Sequence, residues 1–336
     1  MEHLAIDLGG KESQICVRSD DGQIVEERRC RTATLPAYLA GRSRSRVVVE
    51  TCSEAFWVAD AALAVGHEVR VVPATLVRSL GVGARRLKTD RRDAQVLSEV
   101  SCRIDLPSVH VPSPEARQRK TLCGMREALV GARTKVLNTV RGWLRAEARR
   151  PRGGDIATFS TRVRELYEDG RLPRHVERQL RTIDALTVEI GDADRELAMT
   201  AKADPTARRL MTVPGVGPST AVRFVAALDE ISRFSGAHAV ESYLGLVPGE
   251  NSSAERRRRT SITKAGPAAL RWCLVQAAWA ARRTRRKDPM QRWADEIEKR
   301  RGKRVAVLAL ARKIAGMLYA IWRDDTVYEP RLSGAS

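Results

Sequence analysis

The chain has 336 residues, which suits two or three domains rather than one core, and its 43% hydrophobic content is enough to build them. A formal net charge of +19, with a pI near 10.4, sets up a field that draws polyanions, so nucleic acid is the expected partner. No run approaches the roughly 20 apolar residues of a membrane span, no charged-then-apolar leader opens the chain, and aromatics at 4% argue against recognition by rows of stacked bases. A cytoplasmic protein without a membrane partner, contacting mainly phosphates, is expected.

The first hundred residues alternate strand-like and helix-like runs. "HLAIDLGG", "SQICVRS" and "QIVEERRCR" are short strands, with "DDGQ" as a hairpin turn between the last two. "RVVVETC" is a continuous apolar run, as in a buried parallel strand. "SEAFWVADAALAVG" reads as a helix capped by Ser53 and ending near Gly66. "HEVRVVPA" is a further strand, and a helix runs from about residue 88 through "RDAQVLSEVSCR". Three strands, helix, strand, helix, strand, helix is the element order of a ribonuclease H-like domain, although the pattern alone establishes only a mixed α/β sheet.

A long helix starts with Ser113 as cap and Pro114 at its first position. Its expected apolar stripe is Leu122, Met125, Leu129, Ala132, Val136, Val140 and Leu144; Arg119, Lys120, Arg126, Arg133, Lys135 and Arg141 make it strongly basic. "PRGGD" breaks the run. A second long helix covers about 173–203, where Val176, Ile183, Ile190 and Leu197 repeat every seven residues, with Leu180 and Thr187 between them. That is a coiled-coil seam weakened by Asp194, and it predicts an antiparallel hairpin or an oligomer contact. The last third reads as mostly helical, with basic clusters at "ARRTRRKDP" and "EKRRGKR".

Six cysteines and five histidines are scattered without zinc spacing. The carboxylates are more informative. Asp7 ends the first strand ahead of Gly9 and Gly10, a pattern shared by ribonuclease H-like sites, phosphate loops of sugar-kinase-like ATPases and plain turns. Glu50 follows the buried "RVVV", where a charge is costly unless paired or bound to metal. Asp90 and Asp93 share one helix face at i and i+3 in the arginine-rich "RRLKTDRRDAQVL". No second phosphate loop is clearly placed. Four acids from three elements, converging at one end of a sheet, suit Mg²⁺ or Mn²⁺. Two such ions about 4 Å apart serve phosphodiester cleavage.

"VPGVGPST" fits both a helix-hairpin-helix phosphate contact and a plain turn. "LGLVPGENSSAERRRRTSITKAG" reads as a polar loop with Ser252 and Ser253 ahead of four arginines. Either serine could act as a nucleophile among cations, or the run is a solvated basic loop.

In order, Asp7, Glu50, "KTDRRDA", "VPGVGPSTA", "YLGLVPGENSSAERRRRTSITKAG" and "ALRWCLVQAAW" resemble the Asp-Glu-Asp-Asp insertion-sequence transposases of the IS-one-ten group, which include the Piv-type DNA invertases. The resemblance runs from residue 4 to about 323. It implies an α/β RNase H-like (RuvC-like) metal-binding domain over 1–106 and a long-helix coiled-coil region over 107–203. A mostly α-helical C-terminal transposase domain over 204–325 and a tail over 326–336 complete the chain. It further implies that Asp7, Glu50, Asp90 and Asp93 bind Mg²⁺ (or Mn²⁺) and that a serine attacks DNA to form a transient phosphoserine. Spacing after Pro248 matches Ser253 to that serine, with Ser252 the fallback; the family's usual glycine after it is here Ala254. An element-encoded noncoding bridge RNA, a homo-oligomer (dimer or tetramer) and a prokaryotic, nucleoid-associated location complete the expectation. The alternatives are a metal-dependent Holliday-junction-type nuclease using water, and a non-enzymatic nucleic-acid scaffold.

Overall fold

The computed structural model describes residues 1–79, 89–167, 170–253, 256–284 and 288–330, with backbone only at 77–79, 251–253 and 256–259. The chain divides into two compact units, Met1–Pro112 and Ser113–Ser336.

The first unit runs β1 (His3–Asp7), β2 (Glu12–Arg18), β3 (Ile24–Arg31), α1 (Leu35–Ala40), β4 (Arg46–Glu50), α2 (Ala55–Ala64), β5 (Glu68–Val72), α3 (Ala74–Ser79) and α4 (Asp90–Arg103). Its sheet has the order β3-β2-β1-β4-β5: β1 pairs antiparallel with β2 and parallel with β4, which pairs parallel with β5. The run expected to be a buried parallel strand is one, because β1 and β4 are covered on both faces. Leu4, Ile6, Val47 and Val49 pack with residues of α1 and α2, whereas Ala5 and Val48, one position out of phase, pack with Leu97 of α4. The two-residue strand period thus decides which helix each side chain meets. The edge strand β3 is charged and largely exposed, a pattern that discourages further pairing. The helix α3 was not expected. Ser53 does not cap α2: Glu54 takes that place, without a side-chain cap bond.

The second unit begins with α5 (Pro114–Ala146), α6 (Phe159–Glu165) and α7 (Arg174–Ala203). Ser113 caps α5 as expected, accepting from Ala116 N–H at 3.1 Å. α5 and α7 lie antiparallel, shown by Arg119–Asp204 at 3.0 Å, Arg126–Asp194 at 2.5 Å and Arg133–Thr187 at 3.4 Å. Of the expected stripe on α5, Leu122, Val136, Val140 and Leu144 pack into apolar cores, but Met125 is 65% exposed and Ala132 is exposed. The face turned to α7 instead carries Arg119, Cys123, Arg126, Val130, Arg133, Leu137, Val140 and Leu144, spaced alternately four and three. Apolar counting misses this face because arginines occupy three of its positions, where they meet the polar members of the α7 heptad. Those arginines serve helix pairing rather than an outward basic surface.

The remainder comprises α8 (Pro205–Leu210), α9 (Pro218–Leu228), α10 (Ala237–Tyr243), β6 (Pro248–Ser253), β7 (Arg256–Ile262), α11 (Ala268–Arg283), α12 (Pro289–Arg301) and α13 (Lys303–Arg323). Leu210, Phe224, Leu228, Leu274, Leu310, Ile314 and Leu318 centre its core, which Leu197 and Cys123 join from the long pair. The expected lack of any membrane-length apolar run needs correcting, since α13 is long and apolar enough by length and composition. Half of its most apolar window is buried in the fold, where it packs on α10, α11 and α12.

Candidate active site

Asp7 and Glu50 come together through sheet register. The parallel ladder of β1 and β4 pairs Ile6 with Val49, so the next residue on each strand brings Asp7 beside Glu50 at the same, C-terminal end. Both are half-buried. That end of the central parallel strands is where open α/β sheets build their sites. The turn after β1 is held by Thr32, whose hydroxyl donates to Gly9 C=O at 2.6 Å.

α4 delivers the aspartates. Ser101 lies 2.8 Å from His3 Nδ1 at the start of β1, and Leu97 packs with Ala5 and Val48 in mid-strand. The helix therefore runs against the strand direction. Eight residues of helix, from Ser101 back to Asp93, rise about 12 Å, and four strand residues from His3 to Asp7 span about 13 Å. Asp93 thus arrives level with the carboxylate end of β1 and β4. Its buried neighbours Leu97 and Ser101 share its face at i+4 and i+8.

Thr89 caps α4, its hydroxyl accepting from Arg92 N–H at 3.3 Å. Carboxylates in a first turn gain about 0.3–1 kcal/mol from the helix dipole. That accounts for Asp90, which is exposed. Asp93 is only 7% exposed, and a buried carboxylate costs several kcal/mol that partners or a cation must offset. Arg91 is taken by Glu27 of β3, which also accepts from Gln95 at 2.5 Å. That pairing holds Glu27 below the usual carboxylate range through its bond to Arg91. The donor set is all carboxylate, the chemistry of a hard divalent cation. Among the described residues no three His, Cys, Asp or Glu side chains stand close enough to hold a metal ion as they are placed.

The serine segment is not the expected loop. β6 and β7 form a two-stranded antiparallel ladder in which Ser252 stands opposite Arg257 and Ser253 opposite Arg256. Four arginines in a row carry no strand alternation, so the pairing was invisible to pattern reading. Ala254, where the chain departs from the usual glycine, lies outside the described residues. The ladder's base is fixed to the helical body: Thr263 N–H donates to Val247 C=O at 2.9 Å, and Arg271 of α11 donates to Ala265 C=O at 2.8 Å. At Gly266 (φ +72°) an added Cβ would lie 1.9 Å from Tyr243 C=O.

"VPGVGPST" forms the turn between α8 and α9. Gly215 (φ +87°) lies against α11, and a Cβ there would meet Ala277 C=O at 2.2 Å. Packing accounts for this glycine without a phosphate.

Comparison with known proteins gives two family matches, the first of which runs past the boundary at Pro112 to the end of α5. Residues 4–147 match the family DEDD_Tnp_IS110, described as "Transposase", and residues 207–294 match the "Transposase IS116/IS110/IS902 family". The transposase of insertion sequence element IS1111A from Coxiella burnetii is 27% identical over 340 residues, covering 97% of this chain and 90% of its own. That of IS1328 from Yersinia enterocolitica is 27% identical over 335 residues, covering 97% and 98%. The y4rJ protein of Sinorhizobium fredii is 30% identical over 316 residues, covering 82% and 76%. The two family matches and the nearly full-length likeness to transposases of insertion sequences define a DNA transposase. The chain belongs to the IS110/IS116/IS902 family of insertion-sequence transposases.

Proposed function

We propose that this transposase cuts and rejoins DNA with Ser253 as nucleophile and with Asp7, Glu50, Asp90 and Asp93 as one acidic site on a ribonuclease H-like fold. What supports the reading is the parallel register of β1 and β4, which sets Asp7 beside Glu50, and the seating of α4, which puts Asp93 at the level of the same end of the sheet. The four carboxylates would hold Mg²⁺ or Mn²⁺, which when bound supplies positive charge for the phosphodiester. The Ser253 oxygen bonds to phosphorus as it loses its proton, and the bond from phosphorus to one neighbouring sugar oxygen breaks as that oxygen gains one. Arg256 and Arg257 stand opposite the serines in backbone register, and guanidinium charge in that segment would stabilise the negative charge on the oxygens of the pentavalent phosphorus. Rejoining reverses the step with a different strand end.

The wider reading has the family resemblance as its support. It comprises a guide RNA encoded by the element, a dimeric or tetrameric assembly, a cytoplasmic and nucleoid-associated location, and a division into a RuvC-like domain over 1–106, a coiled-coil region over 107–203, a transposase domain over 204–325 and a tail over 326–336.

The test is a covalent adduct. The protein is incubated with DNA of its own element ends and Mg²⁺, denatured, and resolved for labelled DNA attached to protein. The adduct is expected for the native chain and for Ser252→Ala but not for Ser253→Ala. An adduct that survives Ser253→Ala removes the nucleophile from the proposal. Cleavage without any adduct would instead favour the water-using nuclease.

A further inference from the structure

At the end of α5 the chain gathers positive charge around a cavity of about 530 Å³, lined by Arg141, Arg145, Arg149, Arg150, Arg152 and Arg162. Among the described residues none of the six forms an ion pair, although carboxylates are close in sequence. Asp155 Oδ1 instead accepts from Ala157 N–H at 3.2 Å. Two arginines are oriented by the protein itself. Arg162 donates to the carbonyls of Arg152 and Asp155, and Arg149 donates to Leu166 C=O at 2.5 Å while stacking 4.1 Å from the Tyr167 ring centre. Arg141 lies 5.6 Å over the ring of Phe159. Gly154 opens one wall, where a Cβ would press to 3.1 Å from the Arg162 guanidinium carbon.

Basic residues commonly follow a helix C-terminus, whose dipole amounts to about half a negative charge. Six guanidinium groups exceed that demand by an order of magnitude. Holding them together around open space destabilises the fold by mutual repulsion, so the arrangement points to a multiply charged anion. Planar guanidinium forks match phosphate oxygens in a two-point contact. The volume falls within the roughly 300–1,000 Å³ of ligand clefts, too large for a lone phosphate and fitting the backbone of a short strand segment.

We propose that this cavity is a clamp for the phosphodiester backbone of a nucleic-acid strand, built from residues other than the four acids and the serine hairpin. The test measures binding of a fluorescent dT oligonucleotide and a matching U oligonucleotide across a salt series. The full-length protein is compared with R141Q/R145Q/R150Q, which spares the two arginines bound to backbone carbonyls. Each lost phosphate contact lowers the slope of log K against log salt by roughly 0.7, so the triple variant is expected to lose about 2 from the slope on at least one polymer. The charge-keeping R141K/R145K/R150K variant should recover most of it. The control R174Q/R178Q/K202Q removes equal charge from exposed positions on α7 and should change the slope by less than half as much. Loss on both polymers assigns the clamp to backbone in general; loss on one assigns it to that strand. An unchanged slope, or an equal loss in the control, overturns the proposal. Neither outcome bears on the Ser253 adduct, so the two readings fail independently.

Discussion

Ser101 Oγ on α4 and His3 Nδ1 on β1 lie 2.8 Å apart in the interior, and this contact sets the level at which Asp93 reaches the end of the sheet. The pair lies about 12 Å of helix away from Asp93. Its role is to position.

Replacing Ser101 with alanine leaves the buried imidazole short of a partner, which costs about 1–3 kcal/mol. Trp57 is the only tryptophan before residue 113, so a variant with the other tryptophans changed to phenylalanine reports this unit alone. Urea unfolding of that variant should show the lower midpoint, with lower transposition as its companion. Unchanged unfolding would mean that the bond contributes nothing to the seating of α4.

Asp93→Asn removes the charge that makes this buried position costly. If the acids hold a cation, Mg²⁺ at one hundred times its Kd stabilises the native chain by about 2.7 kcal/mol. The variant should lose most of that increment while its metal-free stability holds or rises. Calorimetry with and without Mg²⁺ separates the two, and an equal Mg²⁺ response in both proteins would falsify the ligand assignment.

Across the long helices, Arg126 and Asp194 occupy facing seam positions and are partly exposed, so their pairing is screened. Asp194→Leu alone strands the guanidinium and should destabilise the second unit by about 1 kcal/mol. Adding Arg126→Leu should restore the loss and produce an apolar seam. A double-mutant cycle without coupling counts against a structural role for the pair.

Glu177 ties α7 to Arg164 of α6, and the bond to Arg164 lowers its pKa. A carboxylate with a depressed folded pKa contributes stability that is complete above its unfolded pKa and lost as pH falls through the folded one. The contribution should therefore be present at pH 7 and fade below about pH 4.5, near the ordinary glutamate value. Glu177→Gln is expected to flatten that acid limb, read from thermal midpoints between pH 3 and pH 7. An acid limb as steep as that of the native chain would rule the pair out as a source of it.

Gly266→Ala places a methyl group against Tyr243 C=O at a backbone angle disfavoured for other residues, which should cost more than about 1 kcal/mol. Because this glycine closes the base of the β6–β7 ladder, transposition should fall further than stability at permissive temperature. Equal losses in both would show that the hairpin needs no fixed base.

Much of this protein was legible one residue at a time. The strands of the first unit, the cap at Ser113 and the extent of α7 follow from local periodicity and capping, which are properties of neighbours in sequence. Other features depended on which elements met. The α5 seam escaped apolar counting because Arg119, Arg126 and Arg133 gain their partners only when α7 folds back antiparallel. The serine hairpin escaped because a row of arginines has no strand signature until β6 pairs with it. The arginine cavity escaped because the end of the helical run at "PRGGD" carries no sign that Arg162 will line the same cavity as Arg145. Composition and periodicity determined a basic chain with a mixed α/β first part and a mostly helical remainder, since these act over one or two turns. Tertiary structure alone decided which charges face each other, because that depends on helix direction and strand register, and a one-residue slip in register would move every side chain to the opposite face.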